Sequence, residues 1–348
     1  MYQLSESCFQ WVHRAQFATT LWQTNPIVFW IRSNLLCEDR LAVCRQTGWN
    51  IFKNMLSEIT SFHEPLTAAL KRKALWGEPG SAHNRVLAGG EGWRVVEVLC
   101  TSGPGDLSIE ERYWSVAISL VLSGTFSYRS ARGSWLMSPG ALLLGNAGHT
   151  YQCSHEHGEG DRCLSFQFDP ALFENLARDS GVSKAQFSSD RVPPLRTTAQ
   201  LTARAVTAMQ MHDSFEELAV ELAGTALRIC QDLHPAPVAG TKRTEMCIAE
   251  VVRYLESGAV QSARLEDLAR MAGLSRYHFL RAFKSVTGVT PHQWVLRARL
   301  RDAAHRLATS SSPVTEIALD AGFTDLSNFI RSFGAEYGVS PRKYRAGP

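Results

Sequence analysis

One segment of this chain occurs twice. Phe279, Arg281, Phe283, Gly288, Val289, Pro291 and Trp294 return fifty positions later as Phe329, Arg331, Phe333, Gly338, Val339, Pro341 and Tyr344. Just before each copy an apolar stretch ends in Ala-Gly, at Ala272-Gly273 and Ala321-Gly322. A self-similar unit at a fixed offset means one supersecondary element used twice.

The element reads as helix, tight turn, helix. Leu265, Leu268, Ala269 and Ala272 fall at i, i+3, i+4 and i+7, one face of a short amphipathic helix. Gly273 stands where a helix ends in a left-handed residue, and Ser275 can cap the next helix with its hydroxyl. Along that second helix Phe279 and Phe283 turn inward, which leaves Arg276, Arg281 and Lys284 for another face. The second copy repeats the layout with Val314, Ile317, Ala318, Ala321, Gly322 and a helix through Ser327, Phe329, Arg331 and Phe333. Two helices joined by a short glycine-bearing turn describe the helix-turn-helix, whose second helix enters the DNA major groove.

The run Ala272-Gly273-Leu274-Ser275-Arg276-Tyr277-His278-Phe279, with Phe283-Lys284 and Gly288-Val289-Thr290-Pro291, resembles the first reader of the AraC/XylS family of bacterial transcription regulators. Ile317-Ala318, Ala321-Gly322-Phe323, Ser327-Asn328-Phe329 and Gly338-Val339-Ser340-Pro341-Arg342-Lys343-Tyr344-Arg345 resemble its second reader and C-terminal signature. The resemblance implies two readers bridged by one long helix, here about 292–308, roughly 25 Å at 1.5 Å per residue. It implies base-reading positions at Tyr277, Leu280 and Arg281 in the first copy and at Leu326, Ser327 and Arg331 in the second. Arg276, Lys284, Thr324, Asn328, Arg342 and Lys343 complete the expected DNA-binding set. Double-stranded promoter DNA is the expected partner, with RNA polymerase as a second if the protein activates.

Charge agrees with this reading. Residues 242–348 carry 16 Lys and Arg against 10 Asp and Glu, whereas the remainder carries 20 against 23. The net charge of +3 therefore conceals a basic C-terminal part, as phosphate neutralisation requires. Eight Cys without regular pair spacing do not form a secreted disulfide framework, and the expected compartment is the reducing cytoplasm. The most apolar early stretch, 21–36, is broken by Asn25, Pro26 and Arg32, so no membrane span is expected.

Ahead of the readers the expected organisation is α+β. Residues 1–84 resist interpretation; 1–54 hold four of the nine Trp and three of the eight Cys without a sustained period, and translation starting at Met55 is one account of them. Residues 85–170 read as short strands: 94–99, 116–122, 126–129, 141–144 and 163–168. Ser123-Gly124-Thr125 suggests a bulged hairpin between the second and third of these. Such strands suggest a sandwich or jelly roll, and they resemble the cupin-like β-barrel sensing domain of many family members. Gly133, Pro139-Gly140 and His149 stand where a second cupin motif would. Residues 171–233 return to helical spacing, with stripes at Leu201, Ala205, Ala208, Met209 and at Leu218, Leu222, Ala226, Ile229. These stripes serve either as core or as the interface of a homodimer. A Pro/Gly-containing linker at 234–244 leads into the all-α reader domain, 245–348.

A small-molecule effector is expected inside the β domain, against Trp114, Tyr128, Trp135, His149, Tyr151 and Phe166, since ligand sites favour apolar cavities with a few polar groups. A second set is Cys153, His155, His157 and Cys163. If 151–157 is extended, alternate residues share a face, and Cys163 returns after the glycine turn at 158–160 to offer a Cys₂His₂ set for zinc, or iron. A solvated loop beside a buried free Cys fits the same residues. The regulator reading expects no enzyme and no obligatory cofactor. The alternative is a metal-dependent cupin enzyme, or a metal or redox sensor, joined to a DNA-binding domain.

Overall fold

The structure, a computed structural model, describes residues 66–156, 158–211, 215–232, 242–257 and 264–346. The Met55 start and the 233–241 part of the linker lie outside these residues. The first described element is α1 (Leu66–Trp76). Ten strands follow: β1 (Ala82–Gly90), β2 (Trp93–Cys100), β3 (Glu110–Arg112), β4 (Val116–Gly124), β5 (Phe126–Ser130), β6 (Gly133–Met137), β7 (Leu142–Gly145), β8 (Thr150–Ser154), β9 (Asp161–Phe168) and β10 (Arg191–Val192). They form a six-stranded sheet in the order β1-β2-β9-β4-β7-β10 and a four-stranded sheet in the order β3-β8-β5-β6, all neighbours antiparallel.

The bulged hairpin expected at Ser123-Gly124-Thr125 is not formed. β4 pairs with β7 and β9, while β5 pairs with β6 and β8 in the other sheet, so Gly124 is a corner between sheets. Its φ is 78°, and a Cβ there would lie 2.2 Å from the Gly160 carbonyl oxygen. The hairpin lies one connection later, where Ser130 faces Gly133. β1 begins at Ala82, slightly before the expected domain start, and pairs along β2 with a register shift between Val86 and Ala88.

The larger sheet is covered on both faces. Along β4, Val116, Ile118 and Leu120 join Leu142, Leu144, Leu164 and Phe166 in a core completed by helices, while Val121, Leu143 and Cys163 face the smaller sheet with Phe126, Tyr128, Trp135 and Met137. This is why 116–121 is buried at every position and reads as an unbroken apolar run rather than an alternation. Each fully buried side chain of this size contributes about 1.5–3 kcal/mol. Ser119 and Ser165, opposite each other in the buried sheet, satisfy one another at 3.0 Å.

The covering helices are α2 (Pro170–Asp179), α3 (Arg196–Met211) and α4 (Phe215–Asp232). Both apolar stripes of the sequence pack here: Leu201, Ala205, Ala208 and Met209 from α3, and Leu218, Leu222 and Ala226 from α4. The protein's own sheet therefore occupies the faces that the sequence also offered to a dimer.

Among the described residues the C-terminal part holds only helices: α5 (Lys242–Glu256), α6 (Leu265–Met271), α7 (Arg276–Thr287), α8 (Pro291–Thr309), α9 (Val314–Asp320), α10 (Leu326–Tyr337) and α11 (Pro341–Ala346). α6–α7 and α9–α10 are the two copies. Phe279, Phe283 and Trp294 close the first core with Ile248, Val252 and Leu255 of α5; Phe329, Phe333 and Tyr337 close the second with Leu300 and Leu307 of α8.

Candidate nucleic-acid interface

Local chemistry sets the ends of both recognition helices. Ser275 caps α7 by accepting from the His278 amide at 3.4 Å, and Asp325 caps α10 by accepting from Ser327 at 3.0 Å and Asn328 at 2.9 Å. At the far ends Gly288 and Gly338 adopt left-handed conformations, with φ of 83° and 76°. The bridging α8 starts with a capping box, Thr290 with Gln293, and Pro291 in its first turn. Its 19 residues, Pro291–Thr309, extend the expected bridge by one position at each end.

Inward positions are filled by the four phenylalanines, each fully buried. All twelve residues of the expected DNA-binding set are exposed: Arg276, Tyr277, Leu280, Arg281 and Lys284 on α7, Thr324, Leu326, Ser327, Asn328 and Arg331 around α10, and Arg342 and Lys343 on α11. They are not equally free. Arg276 pairs with Glu266 of α6 at 3.0 Å. The Arg281 guanidinium lies 5.8 Å from the Tyr277 ring centre, and Arg331 donates to Asn328 at 3.5 Å. The i, i+4 spacing of Tyr277 and Arg281 thus gives the first reader an aromatic rest for this cation.

The profile of a helix-turn-helix domain matches residues 268–347, and that of an AraC-like ligand binding domain matches residues 104–227. The transcriptional activator AarP of Providencia stuartii is 31% identical over 98 residues, 28% of this chain and 73% of AarP. The chain belongs to the AraC/XylS family. LumQ of Photobacterium leiognathi is 36% identical over 92 residues, 26% of this AraC-type chain, which spans only 37% of LumQ. The DNA-binding domain of AdpA, solved with a target DNA, is 36% identical and covers 29% of this chain at a TM-score of 0.28. No helix among the described residues is long and apolar enough to cross a membrane.

A segment that sequence reasoning did not single out, residues 191–200, binds the C-terminal ends of both recognition helices. Buried Arg191 donates to the Val286 carbonyl of α7 at 2.6 Å and to Leu136 of β6 at 3.2 Å. Arg196 donates to the Ala335 carbonyl of α10, and the Pro194 carbonyl accepts from Arg297 of α8 at 2.6 Å. Positive charge at a helix C-terminus is favourable. Burial brings the Arg191 guanidinium down to about 10, with Glu245 opposing. The terminal glycines have a second role here. A Cβ on Gly288 would meet Pro193 at 2.5 Å, and one on Gly338 would meet Gln200 at 2.5 Å. Leu136 also enters the first reader's core. The only signal of this strap in the sequence is Pro193-Pro194 between two arginines.

The expected effector set is divided by the fold. Tyr128, Trp135 and Tyr151 come together between the sheets, with Tyr128 5.6 Å from Tyr151 and 6.3 Å from Trp135. Tyr113, which the sequence did not single out, stacks on Tyr151 at 4.2 Å. Phe166 is placed on the opposite, helix-covered face by strand alternation, and packs against Phe215. Trp114 is 87% exposed and His149 is exposed, since both precede strands in surface connections.

The expected metal set is likewise rearranged. β8 ends at Ser154, so the assumed extension through 157 fails, and His157 lies outside the described residues. His155 turns to Asp161, with Nε2 2.7 Å from Oδ1, rather than sharing a strand face with Cys153. Burial alone would lower the His155 imidazole, but hydrogen bonds with Asp161 and Cys100 lift it to about 9. Burial raises the thiols of Cys153 and Cys163 well above their ordinary value. Cys100 and Asp161 are the members that sequence spacing could not supply, because they meet only through the pairing of β2 with β9.

Proposed function

We propose that this chain is a sequence-specific DNA-binding transcription regulator whose β domain sets the arrangement of its two readers by binding a small molecule. The single observation that carries this is the strap, in which Arg191 and Arg196 tie one helical-and-β body to the C-terminal carbonyls of both recognition helices. A ligand that binds one arrangement of the β domain better than another shifts the readers by the same free energy. The aromatic group of Tyr128, Trp135, Tyr151 and Tyr113 is the candidate effector site. Arg281 and Arg331 are the candidate guanine readers, and Arg342 and Lys343 serve phosphate. The protein works in the cytoplasm as a homodimer, through faces other than the two buried stripes, and engages RNA polymerase where it activates. It has no catalytic role in this reading.

Mapping of bound genomic DNA, followed by affinity for the recovered site with and without extracts of induced cells, tests the proposal. A recovered motif with two half-sites and an extract-dependent affinity is expected. Binding that is uniform across sequences, or turnover of a small molecule without DNA, would replace it with the enzyme reading.

A further inference from the structure

Cys100 at the end of β2, His155 just after β8 and Asp161 at the start of β9 bring a sulfur, a ring nitrogen and a carboxylate oxygen within 4.8 Å of one another. The second oxygen of Asp161 accepts from the Cys163 thiol at 3.2 Å. All four residues are buried. The Phe126 ring lies beside the imidazole, its centre 6.0 Å away. With metal–donor distances of about 2.0–2.3 Å, the edges of a tetrahedral zinc site are roughly 3.3–3.8 Å. The 2.7 Å between His155 and Asp161 and the 4.8 Å limit of the group bracket that range.

The backbone holds these donors in place. Cys100 and Asp161 are cross-strand partners. Gly160, at φ 67°, donates its amide to Ser102 at 2.8 Å, and a Cβ there would come within 2.6 Å of the Cys100 carbonyl oxygen. The segment 158–161 is therefore laid directly on the end of β2. A solvated loop would not bury an imidazole, a carboxylate and two thiols against one another.

We propose that Cys100, His155 and Asp161 form a binding site for one divalent metal ion of the zinc class, with the Cys163 sulfur as its fourth donor. Binding displaces the two thiol protons and the proton held between His155 and Asp161, which pass to solvent. The same loop reaches the DNA-binding half. Glu156 pairs with Lys242 of α5 at 2.8 Å, and Glu156 and Gly158 line a cleft of about 390 Å³ with Met246, Glu250 and Arg253 of that helix. Closing the donors on an ion moves this loop against α5. That consequence rests on the regulator reading; the site itself does not.

The test is a titration of the untagged, metal-free full chain with Co²⁺, followed by displacement with Zn²⁺. One equivalent with tetrahedral visible bands and a thiolate charge-transfer band is expected. Cys100→Ser and His155→Gln should each weaken binding by more than about 100-fold, beyond the loss typical of an outer-shell partner. Cys163→Ser should keep the visible bands at roughly half the charge-transfer intensity, and Cys153→Ser should change neither. Absence of a stoichiometric band in the unmodified chain overturns the site. So does a band that survives Cys100→Ser or disappears in Cys153→Ser. The unmodified chain and Cys153→Ser arms decide the matter even where another variant fails to fold. Affinity for a mixed-sequence duplex, measured with and without Zn²⁺, is the separate arm for coupling. Metal binding that leaves this affinity unchanged overturns the coupling and retains the site.

Discussion

Arg281 and Lys343 are both exposed cations of the reader domain, yet they should fail differently. Arg281 rests against Tyr277 on the exposed side of the first recognition helix; in the proposed reading it meets a guanine edge in bidentate fashion, a contact that discriminates by about 1–3 kcal/mol. Arg281→Ala is expected to relax preference over one half of the recovered site, while Lys343→Ala weakens cognate and random duplexes alike and flattens the salt dependence. Competition binding at several salt concentrations checks this, and equal losses for Arg281→Ala would remove its reading role. A different balance operates at Glu97 in β2, which sits between Arg85 at 2.5 Å and Arg162 at 2.5 Å. Burial alone would raise its carboxyl, but the two guanidiniums prevail and hold it below the ordinary value. Its stabilisation is therefore present above the unfolded pKa and is lost as pH falls through the lower folded value. Stability measured downward from about pH 5 should fall less steeply in Glu97→Gln than in the unmodified chain.

Among the elements, the repeated helix pair shows how much one pattern carries. Phe283 and Phe333 occupy equivalent positions in two separate cores, each fully buried. Phe283→Ala should cost about 3–5 kcal/mol. The cost should fall on the first reader and α5, so chemical unfolding followed by Trp294 fluorescence should report it, while the helix-covered sheet keeps its protection. A variant with unchanged stability and only altered DNA preference would show Phe283 to be a base contact instead. The elements most readable in the sequence were these amphipathic ones, where a 3.6-residue period and capping residues agree. Strands were read where apolar runs were long, as at 116–122. β1, β3, β6 and β10 are short or bear few apolar residues and give no such signal, and β8 enters only as part of an extended 151–157. The corner at Gly124 was misread because a turn signal does not tell whether the next strand returns along the same sheet.

At the scale of the molecule, the strap makes the two readers and the β domain one mechanical unit. Arg191 is the buried member, and removing it leaves the Val286 carbonyl without that donor, a loss of about 1–3 kcal/mol for a buried acceptor. In Arg191→Ala with Arg196→Ala, amide exchange should rise at 284–288 and 334–338 while β4 and β9 stay protected. The difference in DNA affinity between effector-bound and free states should shrink with it. Unchanged exchange at both helix ends would mean that neither arginine holds the readers, leaving the Leu136 packing and the Pro194–Arg297 hydrogen bond to do so.

The sequence by itself determined what was local. The tandem readers, their caps, their buried phenylalanines and their exposed polar faces follow from spacing within a few turns of helix, and a resemblance spread over such motifs identified the family. Tertiary structure decided whatever depends on which strand lies beside which. It sent Phe166 to one side of the larger sheet and Tyr128 to the other, and it brought Cys100 and Asp161, rather than Cys153, beside His155. It also laid the 191–200 strap across helix ends 95 and 139 residues further along the chain. Strand order and the docking of a loop on a helix terminus are set by pairings between distant segments, and no periodicity within either segment records them.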